Sequence, residues 1–244
     1  MEIIVGKNAG FCYGVKRAVY GAKEILKENK NVCCLGEIVH NKQVVETLEK
    51  QGMRFIEDIK EVEDEVIIRA HGVKKEIYEY ARVNKIKVRD YTCPFVLKIH
   101  EIAKKYMEKG YYIFLCGNSN HPENIGTISH CGTNYYVIEK EEEALKALEK
   151  FRKVNINKLL IISQTTFSLE KFYIIEEIIK NELPKNIEIA VYNTICSATE
   201  IRQKETRKIA KQVDYMIVVG GKNSSNTKKL YEIAKNRLPK YNMC

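Results

Sequence analysis

Three of the eight cysteines occupy matching places in the chain: Cys12 in Gly10-Phe11-Cys12, Cys93 in Thr92-Cys93-Pro94 and Cys196 in Thr194-Ile195-Cys196. Each is expected to follow a strand-like run and to precede a helical one. Free backbone N–H groups and the helix dipole at such a junction favour a thiolate. Three equivalent junctions, far apart in sequence, point to similar modules aiming their thiolates at one metal cluster. Thiolates hold iron–sulfur clusters, and three ligands on a four-iron cluster leave one iron open to substrate. No Cys-x-x-Cys occurs, so neither a zinc ribbon nor a ferredoxin-type run is indicated. The alternative is a buried small residue, the usual place of a free cysteine. That reading suits Cys33, Cys34, Cys116, Cys131 and Cys244. It suits the other three poorly, because they stand at element boundaries beside Gly, Pro or Ser.

Three of the five histidines fall in polar turns after strand-like runs: His40 before Asn41, His71 before Gly72 and His121 before Pro122. Imidazoles donate hydrogen bonds and charge near neutral pH, so several converging ones can hold an anion such as a diphosphate. Taken singly, each reads as a turn histidine bonded to local backbone. His100 and His130 lie in or at the end of helical patterns and are assigned structural roles. Glu123 serves as a proton donor if burial raises its pKa; otherwise it is a first-turn glutamate stabilised by the helix dipole. The run from Gly220 to Thr227, with Ser224, Ser225 and Asn226 at its centre, follows an apolar strand and opens a helix. Hydroxyls and free N–H groups at a helix start make an anion site, and plain N-capping accounts for only one of these polar residues. The run lacks P-loop or dinucleotide spacing. Gln164-Thr165-Thr166 is a weaker example of the same kind.

The elements that must position these residues alternate from end to end. Strands are expected at 2–5, 32–35, 65–69, 88–91, 111–115, 135–138, 159–163, 187–192 and 215–219. Helices are expected at 14–28, 42–50, 96–109, 141–152, 168–181, 198–213 and 227–237. Such alternation predicts an α/β fold with mostly parallel sheets, whose buried strands are nearly continuous apolar runs. The cysteine junctions divide it into blocks at 13–93, 94–193 and 194–244, the last grouped with 1–12. Because ligands bind at the carboxyl ends of such strands, the polar motifs could line one cavity.

Composition narrows the setting. The 244 residues carry a formal net charge of +9, but opposite charges are interleaved and no basic block stands out, so nucleic acid is not the expected partner. No apolar run reaches the ~18–20 residues of a membrane span, and the start shows no signal-peptide pattern. A cytoplasmic location and reduced thiols are therefore expected.

In order along the chain, Gly10-Phe11-Cys12-Tyr13-Gly14-Val15, Val39-His40-Asn41, Ala70-His71-Gly72-Val73, Thr92-Cys93-Pro94, Gly117…His121-Pro122-Glu123, Gln164-Thr165-Thr166, Cys196…Ala198-Thr199 and Asn223-Ser224-Ser225-Asn226 resemble the 4-hydroxy-3-methylbut-2-enyl diphosphate reductase family (LytB type). The resemblance covers essentially the whole chain. It implies three pseudo-symmetric α/β modules around a central cavity holding a 4Fe-4S cluster on Cys12, Cys93 and Cys196, with one iron open to the substrate hydroxyl. It further implies that His40, His71, His121, Ser224, Ser225 and Asn226 hold the diphosphate. Thr165 would sit near the substrate hydroxyl, with Glu123 relaying a proton. The reaction so implied is reductive dehydroxylation to isopentenyl and dimethylallyl diphosphate, the last step of the methylerythritol phosphate route. Electrons would come from an external ferredoxin or flavodoxin. In that family the third module continues into an Ala-Gly-Ala-Ser-type loop not found here, so an incomplete third module is expected. Two alternatives follow: a truncated, inactive relative, and another three-cysteine cluster enzyme of the quinolinate synthase kind. The His-Pro-Glu and Asn-Ser-Ser-Asn segments favour the reductase.

Overall fold

The computed structural model describes residues 2–236 and, as backbone, 241–243. The elements run α1 (Tyr13–Glu28), β1 (Cys33–Leu35), α2 (Lys42–Lys50), β2 (Arg54–Ile56), β3 (Glu65–Ile68), α3 (Lys75–Val83), β4 (Lys87–Asp90), α4 (Pro94–Glu108), β5 (Tyr112–Cys116) and α5 (Pro122–Ile128). They continue with β6 (Tyr135–Ile138), α6 (Glu143–Arg152), β7 (Lys158–Ser163), α7 (Leu169–Glu182), β8 (Glu188–Val191), α8 (Ser197–Ile209), β9 (Met216–Val218), α9 (Ser225–Lys235) and β10 (Tyr241–Met243).

Every strand pair is parallel, in three sheets: β2-β1-β3-β4, β6-β5-β7-β8, and β9 with β10. The α/β expectation therefore holds. The two larger sheets share one strand order and are covered on both faces, which is why their inner strands are buried throughout. In the first sheet, Cys34 and Ile67 pack on Ala18, Ala22, Ile25 and Leu48 from α1 and α2. Its other face, through Cys33, Leu35, Val66 and Ile68, packs on Ala81 of α3. In the second, Phe114 and Ile161 meet α6 and α7, whereas Ile113, Leu115, Leu160 and Ile162 meet α4. Cys33, Cys34, Cys116 and Cys131 are core residues, as expected; Cys244 lies outside the described residues.

One expected strand does not form. Residues 2–5 pair with no described strand, and Ile3 and Val5 are 73% and 74% exposed. A β-prone apolar run becomes a strand only when a sheet edge offers it partners. The following residues are instead tied to α8: the Lys7 and Asn8 N–H groups donate to the Glu205 carboxylate at 2.8 and 3.1 Å, and Arg202 Nε donates to the Asn8 carbonyl at 3.0 Å. Four elements were not expected: β2, α3, α5 and β10. β2 and β10 are three residues each and α5 is seven, too short for a clear periodic signal; α3 is nine residues and packs its Ile77, Tyr78 and Ala81 face on the first sheet.

Candidate active site

Each of the three cysteines is the N-cap residue of a helix: Cys12 of α1, Cys93 of α4 and Cys196 of α8. None of the three thiols caps its own helix, so all remain available. Cys93 follows β4 and Cys196 follows β8, as expected; Cys12 follows the non-strand segment. Their environments are coupled. Burial pushes the Cys93 thiol up, the Phe95 and Val96 N–H groups pull it back, and the charges of Cys12 and Cys196 push it up again. For Cys196 burial again leads, opposed by Thr199, with Cys12 and Glu123 adding to the rise. At Cys93 and Cys196 desolvation thus outweighs the pull of the helix N-terminus in the free chain, a balance that a bound cation inverts.

The architecture around the thiols is close-fitting. A methyl on Gly14 would come within 2.6 Å of Cys93 Sγ, so α1 reaches Cys93 only because residue 14 lacks a side chain. Arg17, one turn further on, donates to the Thr92 and Asp90 carbonyls, each at 3.0 Å, and fixes the strand end that leads into Cys93. The Cys93 N–H donates to the Ala70 carbonyl at 2.9 Å, and the Cys196 N–H to the Thr165 carbonyl at 3.0 Å. The Thr199 hydroxyl lies 3.1 Å from Cys196 Sγ. Among the described residues no three His, Cys, Asp or Glu are placed to share a single metal ion. A cluster asks for a different arrangement, because each thiolate binds its own iron. Three thiols that cap no helix, one of them set against a glycine that leaves it room, fit such a group.

Glu123 occupies the first turn of α5 but is not a solvated cap residue: it is 2% exposed. Thr165 donates to it twice, from its N–H to Oε1 at 2.6 Å and from its hydroxyl to Oε2 at 2.7 Å. Burial raises its pKa to about 7, against the opposing pull of both Thr165 bonds. Glu123, Thr165 and Cys196 are therefore linked in series, a proton-holding group one residue removed from a thiol.

His40, His71 and His121 do converge. The rings of His40 and His71 stack at 4.1 Å, and His121 stands edge-on to both at 5.4 and 5.6 Å. His121 caps α5, its Nδ1 accepting the Glu123 N–H at 3.2 Å. That bond uses the Nδ1 lone pair, so the ring proton sits on Nε2, where it can be donated. His40 Nε2 and His71 Nδ1 are buried without a partner, which native interiors rarely tolerate unless a ligand or water completes the site. Burial lowers the pKa of all three, that of His121 to about 4. His100 and His130, assigned structural roles, stack on each other at 4.7 Å, and His100 backs the turn at Gly72.

The Ser224–Asn226 segment closes onto the same place. A side chain on Gly221 would strike the His40 carbonyl, so this loop packs on the first sheet's loop. Ser224 caps α9, accepting the Thr227 N–H at 3.3 Å, and keeps its own hydroxyl proton for another acceptor. The Thr166 hydroxyl donates to Ser225 Oγ at 2.9 Å, and Asn226 is half-buried in the first turn of α9.

Sequence reasoning missed Arg17, Arg69 and the hydroxyl of Thr199 beside Cys196. It also missed a spacing visible in the chain. Gly36, Gly117 and Gly220 follow β1, β5 and β9, and four residues after each comes His40, His121 or Ser224. The Gly36 and Gly117 N–H groups donate to equivalent carbonyls, Ile56 and Ile138, at the ends of β2 and β6.

By fold and site this is a parallel α/β protein with three cysteines at helix N-cap positions, one of them linked through Thr165 to a buried carboxyl, and with three converging histidines beside that carboxyl. Residues 3–243 match the family model described as LytB protein, and the chain belongs to that family. It is 43% identical over 242 residues to the 4-hydroxy-3-methylbut-2-enyl diphosphate reductase of Caldanaerobacter subterraneus subsp. tengcongensis, covering 96% of this chain and 81% of that one. To the enzyme of the same name in Clostridioides difficile it is 40% identical over 245 residues, covering 99% and 85%. The solved E-1-hydroxy-2-methyl-but-2-enyl-4-diphosphate reductase of Plasmodium falciparum superposes with a TM-score of 0.85 at 36% identity, over 96% of this chain and 73% of that one. A second solved structure, described as (E)-4-hydroxy-3-methyl-but-2-enyl diphosphate reductase, the terminal enzyme of the non-mevalonate pathway, gives 0.72 at 40% identity, covering 99% and 84%. No described helix is long and apolar enough to cross a membrane.

Proposed function

We propose that this chain reductively dehydroxylates 4-hydroxy-3-methylbut-2-enyl diphosphate to isopentenyl and dimethylallyl diphosphate. Cys12, Cys93 and Cys196 would hold a 4Fe-4S cluster, which supplies electrons and a Lewis-acidic iron for the substrate hydroxyl. The observation that carries this reading is the buried Glu123–Thr165 pair, joined through the Thr165 carbonyl to the N–H of Cys196. Hydroxide is a poor leaving group and needs an acid. Glu123 holds a proton near neutral pH, and the Thr165 hydroxyl can pass it on from a position beside the thiols. The His40, His71 and His121 rings supply N–H donors for the diphosphate, joined by Ser224, Ser225 and Asn226 at the start of α9. The histidine trio orients the phosphate end, and the dry surroundings of Glu123 keep its proton from bulk water. The three thiols would stand at the junctions between three modules, 13–93, 94–193 and 194–244 with 1–12. Electrons would arrive from a ferredoxin or flavodoxin, and the protein would work in the cytoplasm.

The test is anaerobic turnover by the cluster-reconstituted chain with an artificial one-electron donor. Formation of both five-carbon diphosphates is expected. A preparation that assembles its cluster and forms neither would overturn the assignment.

A further inference from the structure

Three neutral imidazoles offer hydrogen bonds but no net charge, and a diphosphate brings at least two negative charges into this pocket. A cation stands two residues before His71, outside the motifs. Arg69 follows β3 and precedes His71 by two residues. Its guanidinium lies across Gly36, so that any side chain there would overlap Nη1. Gly36 in turn begins the loop that ends at His40. The Arg69 charge is felt by His40, His71 and His121 alike. The charges of Glu57 and Glu37 act on it, yet neither forms an ion pair with it, and Arg69 forms none with any other described residue. Its Nε is buried without a partner, as are His40 Nε2 and His71 Nδ1. A half-buried guanidinium that neither pairs nor donates is costly to keep in an empty site. An anion bound between it and the histidines removes that cost and satisfies all three orphaned nitrogens. Arginine suits the task, because its planar fork matches phosphoryl oxygens and it cannot be deprotonated. Lys228 is also sensed by His40 and His121, but it is exposed on α9, where salt screens it.

We propose that Arg69 is the fixed cation of the diphosphate pocket, pairing with a phosphoryl oxygen of the anion that His40, His71 and His121 bond; this rests on reading the histidine trio as that pocket. The test is calorimetric titration of inorganic diphosphate into the cluster-loaded wild type, Arg69→Lys, Arg69→Gln and Lys228→Gln, with a melting curve for each. Arg69→Gln should weaken binding at least tenfold, Arg69→Lys less, and Lys228→Gln by no more than about twofold. Without ligand, Arg69→Gln should melt no lower than wild type, whereas a purely structural arginine would lower the melting temperature. Wild-type-like affinity in Arg69→Gln overturns the assignment of Arg69 alone. A wild type that binds no diphosphate overturns the pocket, and Arg69 with it. Should Arg69→Gln fail to fold, a crystal structure of the wild type with diphosphate decides. A guanidinium about 3 Å from a phosphoryl oxygen supports the proposal, and one turned away from the anion refutes it.

Discussion

Glu123 shows how one residue's chemistry is set by its surroundings. Its position in the first turn of α5 would favour ionisation through the helix dipole, yet complete burial wins and places its pKa at about 7. Thr165 acts in the opposite sense, since both of its hydrogen bonds favour the carboxylate. A group that must give up a proton works in its protonated form. Turnover should therefore hold below pH 7 and fall about tenfold per unit above it. Glu123→Gln should remove that alkaline limb and lower the rate by about a hundredfold or more. Thr165→Val should move the limb to higher pH, because it deletes a hydrogen bond that stabilises the charged form, whereas Thr165→Ser should keep the wild-type profile. A pH–rate profile of the three variants checks this, and an unchanged limb in Glu123→Gln would assign it to another group.

At the scale of elements, helix starts do the positioning. Three helices begin immediately after a cysteine, and two more begin at His121 and Ser224 as N-caps. Close approach between these starts depends on small residues. Gly14, the second residue of α1, is the sharpest case, because propensity and packing disagree there. Alanine is favoured over glycine in a helix by about 1 kcal/mol, but its methyl would sit 2.6 Å from Cys93 Sγ. Overpacking of this kind costs about 1–3 kcal/mol, so the steric effect prevails. Gly14→Ala should fold, with α1 intact by circular dichroism, and should bind markedly less iron per chain than wild type after identical reconstitution. Full iron loading in Gly14→Ala would show that the Cys12 and Cys93 junctions can move apart without loss.

The whole molecule joins segments that are remote along the chain. The N-terminal segment is fastened to α8 through Glu205 and Arg202, Gly221 sits on the His40 loop, and Thr166 bonds Ser225. A cluster held by Cys12, Cys93 and Cys196 would tie the same segments once more, so its binding energy becomes folding energy. Chelating the iron should lower the melting temperature by several degrees under anaerobic conditions. Cys93→Ser should melt near the chelated wild type and respond little to chelator. Equal melting of loaded and chelated wild type would mean that the thiols come together without any help from the cluster.

The parallel α/β class, the helix starts after Cys12, Cys93 and Cys196, and the polar loops after the strands are legible along the chain. Those features are written in near neighbours: apolar period, capping residues and glycines act over a few positions. The remainder comes from packing between distant segments. Residues 2–5 have the composition of a strand, yet they pair with no described strand. Glu123 holds its proton up to a pKa of about 7 because the surrounding core buries it, against the two hydrogen bonds from Thr165, 42 residues away. Arg69 entered the candidate site because β1 and β3 are adjacent, so that its guanidinium meets Gly36 at the root of the His40 loop. Desolvation and the meeting of charges depend on which distant residues pack together, and short-range patterns along a chain do not record that.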